Sequence, residues 1–182
     1  MHFRGDGVFP LIVFFPGFAC TTDAADYSYV LSHIASWGYV VMGPWATFYY
    51  PPDTYEAKWV DPVLNWAKVH LNKGSQGNYG IHPGVTIDYD TMILGAQSSG
   101  SHVAVNYLAL TENKDCSHVH AMFLMSPVDG VDPYGIIGDT CIEPGTNLNF
   151  QIPTLIISGG LDSVPGIDGL GNIFPACAPE VK

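Results

Sequence analysis

The residues best placed to carry out chemistry lie in one short run, Leu94-Gly95-Ala96-Gln97-Ser98-Ser99-Gly100. An apolar, strand-like stretch precedes this run, and a stretch rich in small residues and typical of a helix follows it. In a tight strand–turn–helix connection, only small residues fit two positions before and two positions after a nucleophilic serine. Ala96 and Gly100 meet this requirement around Ser98. The pattern predicts a nucleophile elbow, in which the serine attacks an ester or amide carbonyl.

Two backbone N–H groups are expected to stabilise the oxyanion that such an attack creates. The N–H of Ser99, directly after the nucleophile, would be one donor. The other would come from the loop after an earlier strand, and we assign it to Phe18, where Gly17 gives the loop conformational freedom. The alternative for Ser98 is a plain helix N-cap. The oxyanion loop at Gly17-Phe18 and the elbow at Ser98 occur in the chain order expected of a hydrolase, which favours the hydrolase over the N-cap.

The base and its supporting acid are harder to assign from the sequence. Asp162, after the apolar run 152–158, is the preferred acid and Asp129 is the second candidate, although either could be a simple turn residue. In the chain order that accompanies such an elbow, the histidine follows the acid. None of the seven histidines follows Asp162. We therefore expect the base to lie outside these 182 residues and the chain alone to be inactive.

Composition limits the partners of the chain. The net charge is −11, from 17 acidic and 6 basic residues, whereas nucleic-acid binding requires a basic face. No apolar stretch is long enough to span a membrane, and no signal peptide is visible. The four cysteines and the pair His118 and His120 do not form a zinc pattern, so we predict no metal and no cofactor. An apolar ester is the expected partner.

Short apolar runs alternate with segments of helical length, which predicts a single α/β domain over residues 1–182 with a parallel sheet and crossover helices. The predicted strands cover residues 10–15, 39–42, 91–94, 119–125 and 153–158. Helices are predicted over residues 26–36, from Asp61-Pro62 to about Leu71, and from the elbow to about Leu110. This order places the elbow at the carboxyl end of the third strand.

Four segments resemble the chlorophyllases. Two of them, Phe14-Phe15-Pro16-Gly17-Phe18 and the run 31–41, are shared with the neighbouring cutinase-like polyesterases. The other two, Ser126-Pro127-Val128-Asp129-Gly130 and Phe174-Pro175-Ala176-Cys177-Ala178-Pro179, are similar to chlorophyllases alone. The resemblance covers nearly the whole chain and implies an α/β-hydrolase fold. It also implies that the chain is a partial domain, truncated at both ends.

The resemblance implies a Ser–Asp–His esterase that cleaves chlorophyll to chlorophyllide and phytol through an acyl-enzyme. Carried over to this chain, it makes Ser98 the nucleophile and gives the oxyanion N–H groups to Phe18 and Ser99. Phe18 and Trp45 are expected to line an apolar pocket. A chloroplast location would follow only for a plant or algal chlorophyllase, and the sequence leaves the compartment open.

Two departures keep other functions open. The family elbow is usually Gly-His-Ser-Arg-Gly, whereas this chain has Ala96-Gln97-Ser98-Ser99-Gly100. Asp162 stands where polyesterases keep their acid, while the chlorophyllase acid position is occupied by Ser126. A cutinase-like polyesterase or general carboxylesterase is therefore the first alternative. A non-catalytic hydrolase-fold protein that binds a lipid or pigment is the second.

Overall fold

The part of the chain that the structure describes forms a five-stranded parallel sheet with crossover helices. The computed structural model describes residues 6–17, 22–44, 53–71, 81–109, 117–127 and 152–159. The strands are β1 (Gly7–Phe15), β2 (Val40–Met42), β3 (Val85–Gln97), β4 (Val119–Met125) and β5 (Thr154–Ile157). The helices are α1 (Ser28–Ala35), preceded by a 3-10 turn at Ala24–Tyr27, α2 (Asp53–His70) and α3 (Gly100–Ala109). The strand order is β2-β1-β3-β4-β5, and every pairing is parallel, which confirms the predicted architecture.

The main core lies between the sheet and the helices α2 and α3. Alternate residues of β1 enter this core, namely Leu11, Val13 and Phe15, and all three are buried. Ile12 and Phe14 are equally buried on the other face of the same strand. Burial on both faces explains why this strand reads as a continuous apolar run rather than as an alternating pattern.

The second face of the sheet has an aromatic layer over a glycine. Phe14, Gly95 and Phe123 pair side by side across β1, β3 and β4. The two phenylalanine rings stack with their centroids 6.3 Å apart, and a Cβ at Gly95 would overlap the ring of Phe123. Tyr27 extends the layer, with its ring centroid 5.2 Å from that of Phe14. Glycine is therefore required at position 95 because the Phe123 ring occupies the space of a side chain.

Helix α2 begins eight residues before the predicted start at Asp61-Pro62, and Pro62 lies inside it. A proline within a helix removes one backbone hydrogen bond and usually bends the helix. The inner face nevertheless continues through the proline as Ala57, Val60, Leu64 and Ala67, all of which are buried. Burial of this stripe outweighs the lost bond. The Asp61 carboxylate, predicted to cap the helix, instead accepts a hydrogen bond from the Tyr107 hydroxyl at 2.9 Å.

Strand β3 is 13 residues long, whereas the sequence predicted only residues 91–94. Its first half was missed because two aspartates interrupt the apolar pattern at a register shift between Pro10 and Leu11 of β1. There the Asp88 carboxylate accepts hydrogen bonds from the backbone N–H groups of Asp90, at 2.9 Å, and Thr91, at 3.2 Å. The side chain thus satisfies donors that the irregular pairing leaves outside the sheet.

Candidate active site

Ser98 lies in the strand–turn–helix connection that its spacing predicts. Strand β3 ends at Gln97 and helix α3 begins at Gly100, so the turn consists of Ser98 and Ser99 alone. The φ angle of Ser98 is 52°, in the left-handed region, which L-residues with a side chain rarely adopt. The Ser98 N–H donates to the Met125 carbonyl at 3.0 Å, which anchors the turn to β4. The arrangement has the sharp backbone geometry of a nucleophile elbow.

The two serines of the turn differ in burial. Ser98 is only half-buried, while Ser99 is 3% exposed. Their carbonyls accept the first hydrogen bonds of α3, from the N–H groups of Ser101 and His102, both at 3.0 Å. The turn therefore fixes the start of the helix, whose N-terminal backbone dipoles favour negative charge.

The small residue at position 100 has a direct steric cause. A Cβ at Gly100 would overlap the carbonyl oxygen of Phe15 and would lie 2.6 Å from that of Pro16. The start of α3 therefore packs directly on the backbone at the end of β1. Ala96, two residues before Ser98, is fully buried in the main core. Close packing on both sides of the turn explains why small residues flank the serine.

The loop that follows β1 contacts the elbow. A Cβ added at Gly17 would overlap Gln97 Oε1 and would lie 2.9 Å from the Cβ of Ser98. The Thr22 hydroxyl donates to the Gly17 carbonyl at 3.2 Å. The chain leaves β1 toward β2 on one side, while β3 lies on the other. In parallel sheets such a change of direction opens a crevice at the carboxyl ends of the strands. Gly17 and Ser98 both lie at this crevice.

Two residues near the elbow were not identified from the sequence. The Tyr27 hydroxyl donates to Gln97 Oε1 at 2.7 Å and accepts from the Gly17 N–H at 3.0 Å. Tyr27 carries no sequence signal, because it reads as one aromatic residue at the start of a helix. Gln97 lies within the predicted elbow, directly before Ser98, but the elbow pattern assigns no contact to its side chain.

Four predicted site residues have no described position. Phe18, Trp45, Asp129 and Asp162 lie outside the described residues, so their assigned roles stay predictions. Within the described ranges, no group of three or more His, Cys, Asp or Glu side chains could hold a metal ion. No helix in that same part of the chain is long and apolar enough to cross a membrane.

Two of the described histidines, His102 and His118, have a described position in or against α3. His102 is 4% exposed within the helix. His118 precedes β4, at the opposite end of the sheet from Ser98, and its Nε2 lies 3.3 Å from the Tyr107 hydroxyl. This placement removes His118 as a base for Ser98.

The profile of one protein family, described as Chlorophyllase, matches residues 2–181 of the chain. Chlorophyllase-1 of Arabidopsis thaliana is 28% identical over 183 residues, which cover 95% of this chain and 51% of that protein. Chlorophyllase type 0 of Chenopodium album is 26% identical, over 96% of this chain and 48% of that protein. The chain thus spans about half the length of the curated relatives that it matches.

Solved structures of esterases share the fold. Esterase B of Lactobacillus rhamnosis, inhibited by a tributyrin phosphonate, aligns with a TM-score of 0.50 and 16% identity, over 72% of this chain and 43% of that one. An esterase of the fungus Rhizomucor miehei aligns with a TM-score of 0.50 and 11% identity, over 69% and 37%. These similarities identify the sheet and its helices as part of an α/β-hydrolase fold.

Proposed function

Because the chain belongs to the chlorophyllase family, we propose that it carries the nucleophile and the oxyanion loop of a serine hydrolase that acts on carboxylic esters. The observation that carries this proposal is the backbone of Ser98. A half-buried serine holds a φ of 52° at the carboxyl end of a central strand, directly before a helix. Strained backbone of this kind is most often maintained at functional sites.

In the proposed reaction, Ser98 Oγ attacks the ester carbonyl carbon as a base removes the hydroxyl proton. The N–H of Ser99, and that of Phe18 by the sequence assignment, would hold the oxyanion. The carbonyl–oxygen bond to the alcohol then breaks, the alcohol takes the proton, and an acyl-enzyme remains. In the second half of the reaction, the base removes a proton from water as the water attacks the acyl carbonyl. The bond to Ser98 Oγ then breaks, Ser98 regains its proton, and the carboxylic acid product is released. A histidine held by Asp162, or by Asp129, is the proposed base.

The proposed substrate is the phytyl ester of chlorophyll, which would yield chlorophyllide and phytol. Two curated relatives named as chlorophyllases, at 26% and 28% identity, support this choice. The elbow favours a second candidate, a carboxylesterase that prefers smaller esters. Position 99, where the family usually has arginine, holds a serine that is only 3% exposed. A buried small residue there removes a charged group from beside the nucleophile.

The two candidates are separated with the full-length gene product that contains these residues. It is incubated in parallel with detergent-dispersed chlorophyll a and with p-nitrophenyl butyrate, and Ser98→Ala serves as the matched control. Release of chlorophyllide that Ser98→Ala abolishes supports the chlorophyllase reaction. Hydrolysis of the butyrate alone supports the carboxylesterase. Hydrolysis of neither ester, with no labelling of Ser98 by a fluorophosphonate probe, contradicts both and leaves a binding protein of the same fold.

A further inference from the structure

We propose that Tyr27 is a positioning residue for the Ser98 site, because its hydroxyl fastens the loop after β1 to the nucleophile elbow. The proposal rests on the proposed hydrolase function and adds a residue that the elbow pattern does not contain. The role that we assign to Tyr27 is indirect. It acts through Gly17 and Gln97, to which it is hydrogen-bonded.

The hydroxyl of Tyr27 joins three segments that are distant in sequence. It accepts from the Gly17 N–H, ten residues earlier, and donates to Gln97 Oε1, seventy residues later. A phenol has one proton to donate, so these two bonds run in one direction, from Gly17 through Tyr27 to Gln97. Successive hydrogen bonds of this kind polarise and strengthen one another away from water. Tyr27 is 9% exposed, so little solvent competes for its hydroxyl.

Both ends of this chain of hydrogen bonds lie next to Ser98. Gln97 directly precedes the nucleophile, and Gly17 approaches so closely that an added Cβ would lie 2.9 Å from the Cβ of Ser98. Gly17 also directly precedes Phe18, the assigned second oxyanion donor. Without the Tyr27 hydroxyl, the Gly17 N–H loses this hydrogen bond, and the loop after β1 is no longer held at a fixed distance from the elbow. A shift of about 1 Å in a catalytic group can lower the rate about 100-fold.

The aromatic ring and the hydroxyl of Tyr27 have separable roles. The ring packs against Phe14 at a centroid distance of 5.2 Å, in the layer that also includes Phe123. Tyr27→Phe keeps this packing and removes the hydroxyl, and with it the hydrogen bonds to Gly17 and Gln97. The substitution therefore tests positioning with little disturbance of the fold.

The experiment compares two matched tyrosine variants of the full-length gene product. Tyr107→Phe is the control, because Tyr107 is also buried and also donates to a side-chain oxygen, but lies far from the elbow. With p-nitrophenyl butyrate as the probe, we expect Tyr27→Phe to lower kcat by about 10- to 100-fold and to change KM by less than about 3-fold. Tyr107→Phe is expected to keep both constants.

A second variant tests whether Tyr27 and Gln97 act as one unit. Gln97→Met removes the acceptor at similar volume, and the double variant with Tyr27→Phe should lose no more activity than the more impaired single variant. Additive losses, an unchanged kcat in Tyr27→Phe, or an equal loss in Tyr107→Phe would overturn the positioning role while the wild type still hydrolyses the ester. A wild type that hydrolyses no ester would instead overturn the proposed function, and this inference with it.

Discussion

Two buried tyrosine hydroxyls, near opposite ends of the parallel sheet, each join three segments of the chain. At the carboxyl end, Tyr27 links the loop after β1 to Gln97. Toward the amino end, Tyr107 of α3 donates to Asp61 of α2, and its oxygen lies 3.3 Å from Nε2 of His118. The chemistry of the two clusters is alike, since in both a phenol forms hydrogen bonds to residues that are distant in the sequence.

The backbone around the two clusters differs. Among the described residues, two non-glycine residues have a positive φ, Ser98 at 52° and Ser126 at 41°, and both follow carboxyl strand ends. Tyr107 and Asp61 instead lie within helices and have no positive φ. The same hydrogen-bonding group therefore holds a strained turn in place at one end and joins two helices at the other. We expect substitutions to reduce activity at the first end and stability at the second.

The largest effect is expected at Ser98. Ser98→Ala should lower ester hydrolysis by about 10⁴- to 10⁶-fold, because the proposed nucleophile is lost. Ser98→Gly should be equally inactive but more stable than Ser98→Ala by about 1 kcal/mol, since glycine adopts a positive φ without strain. Urea unfolding of the two variants measures this difference. In an unstrained strand or helix, an alanine variant is more stable than a glycine variant. An alanine variant at position 98 that is as stable as the glycine variant would therefore contradict a strained elbow.

The second-largest loss of hydrolysis is expected on substitution of Gly17. Gly17→Ala places a methyl group on Gln97 Oε1 and 2.9 Å from the Ser98 Cβ. We expect hydrolysis to fall about 100-fold as the loop moves away from the elbow, and the unfolding free energy to fall by about 1–3 kcal/mol.

Adding Gln97→Ala to Gly17→Ala provides the control for this clash. The second substitution removes the worst overlap, so part of the stability should return while activity stays low. If activity returned together with stability although Gln97 is absent, Gln97 would not be needed for hydrolysis, which would contradict the positioning role proposed for it.

A smaller effect, on the unfolding free energy alone, is expected on substitution of Tyr107. Tyr107→Phe removes the hydrogen bond to Asp61, and we expect the unfolding free energy to fall by about 1 kcal/mol. Chemical unfolding followed by tryptophan fluorescence measures the change, and kcat and KM should equal those of the wild type. If Tyr107→Phe lost activity without losing stability, it would contradict the proposal that substitutions affect activity at the carboxyl end of the sheet and stability at the amino end.

The smallest effect is expected at Asp88, also far from Ser98. Its hydrogen bonds with Thr91 and Asp90 hold the pKa of the carboxyl below its usual value of 3.8. A lowered pKa in the folded state means that the stabilisation is complete above pH 3.8 and disappears as the pH falls through the folded value.

Asp88→Asn tests this dependence, because the amide can still accept the N–H bonds but does not titrate. The difference in urea midpoint between wild type and Asp88→Asn should be small at pH 6 and should shrink further toward pH 3. A difference that grows as the pH falls would show the opposite sign of the pKa shift. Hydrolysis at pH 7 should be unchanged, because Asp88 lies far from the elbow.

The fold was predictable where local patterns were unambiguous. The apolar runs of β1 and β4 and the small residues around Ser98 identified the sheet and its turn. The predicted ends of helices and strands were wrong where tertiary packing overrode a local sequence signal. Pro62 reads as a helix start but lies inside α2, because the buried stripe from Ala57 to Ala67 continues through it. The two aspartates of β3 precede the predicted strand 91–94, yet Asp88 lies within β3 and supports an irregular pairing with β1.

The sequence by itself determined that a serine follows a buried strand within a sterically tight turn, because that requirement concerns only its near neighbours. Only the tertiary structure decided what holds the turn in place. Gly17, Tyr27 and Gln97 meet because β1 and β3 are adjacent in the sheet and the chain returns past them before α1. Such contacts join residues as many as 80 positions apart, as Gly17 and Gln97 are, and no periodicity or local spacing in the sequence records them.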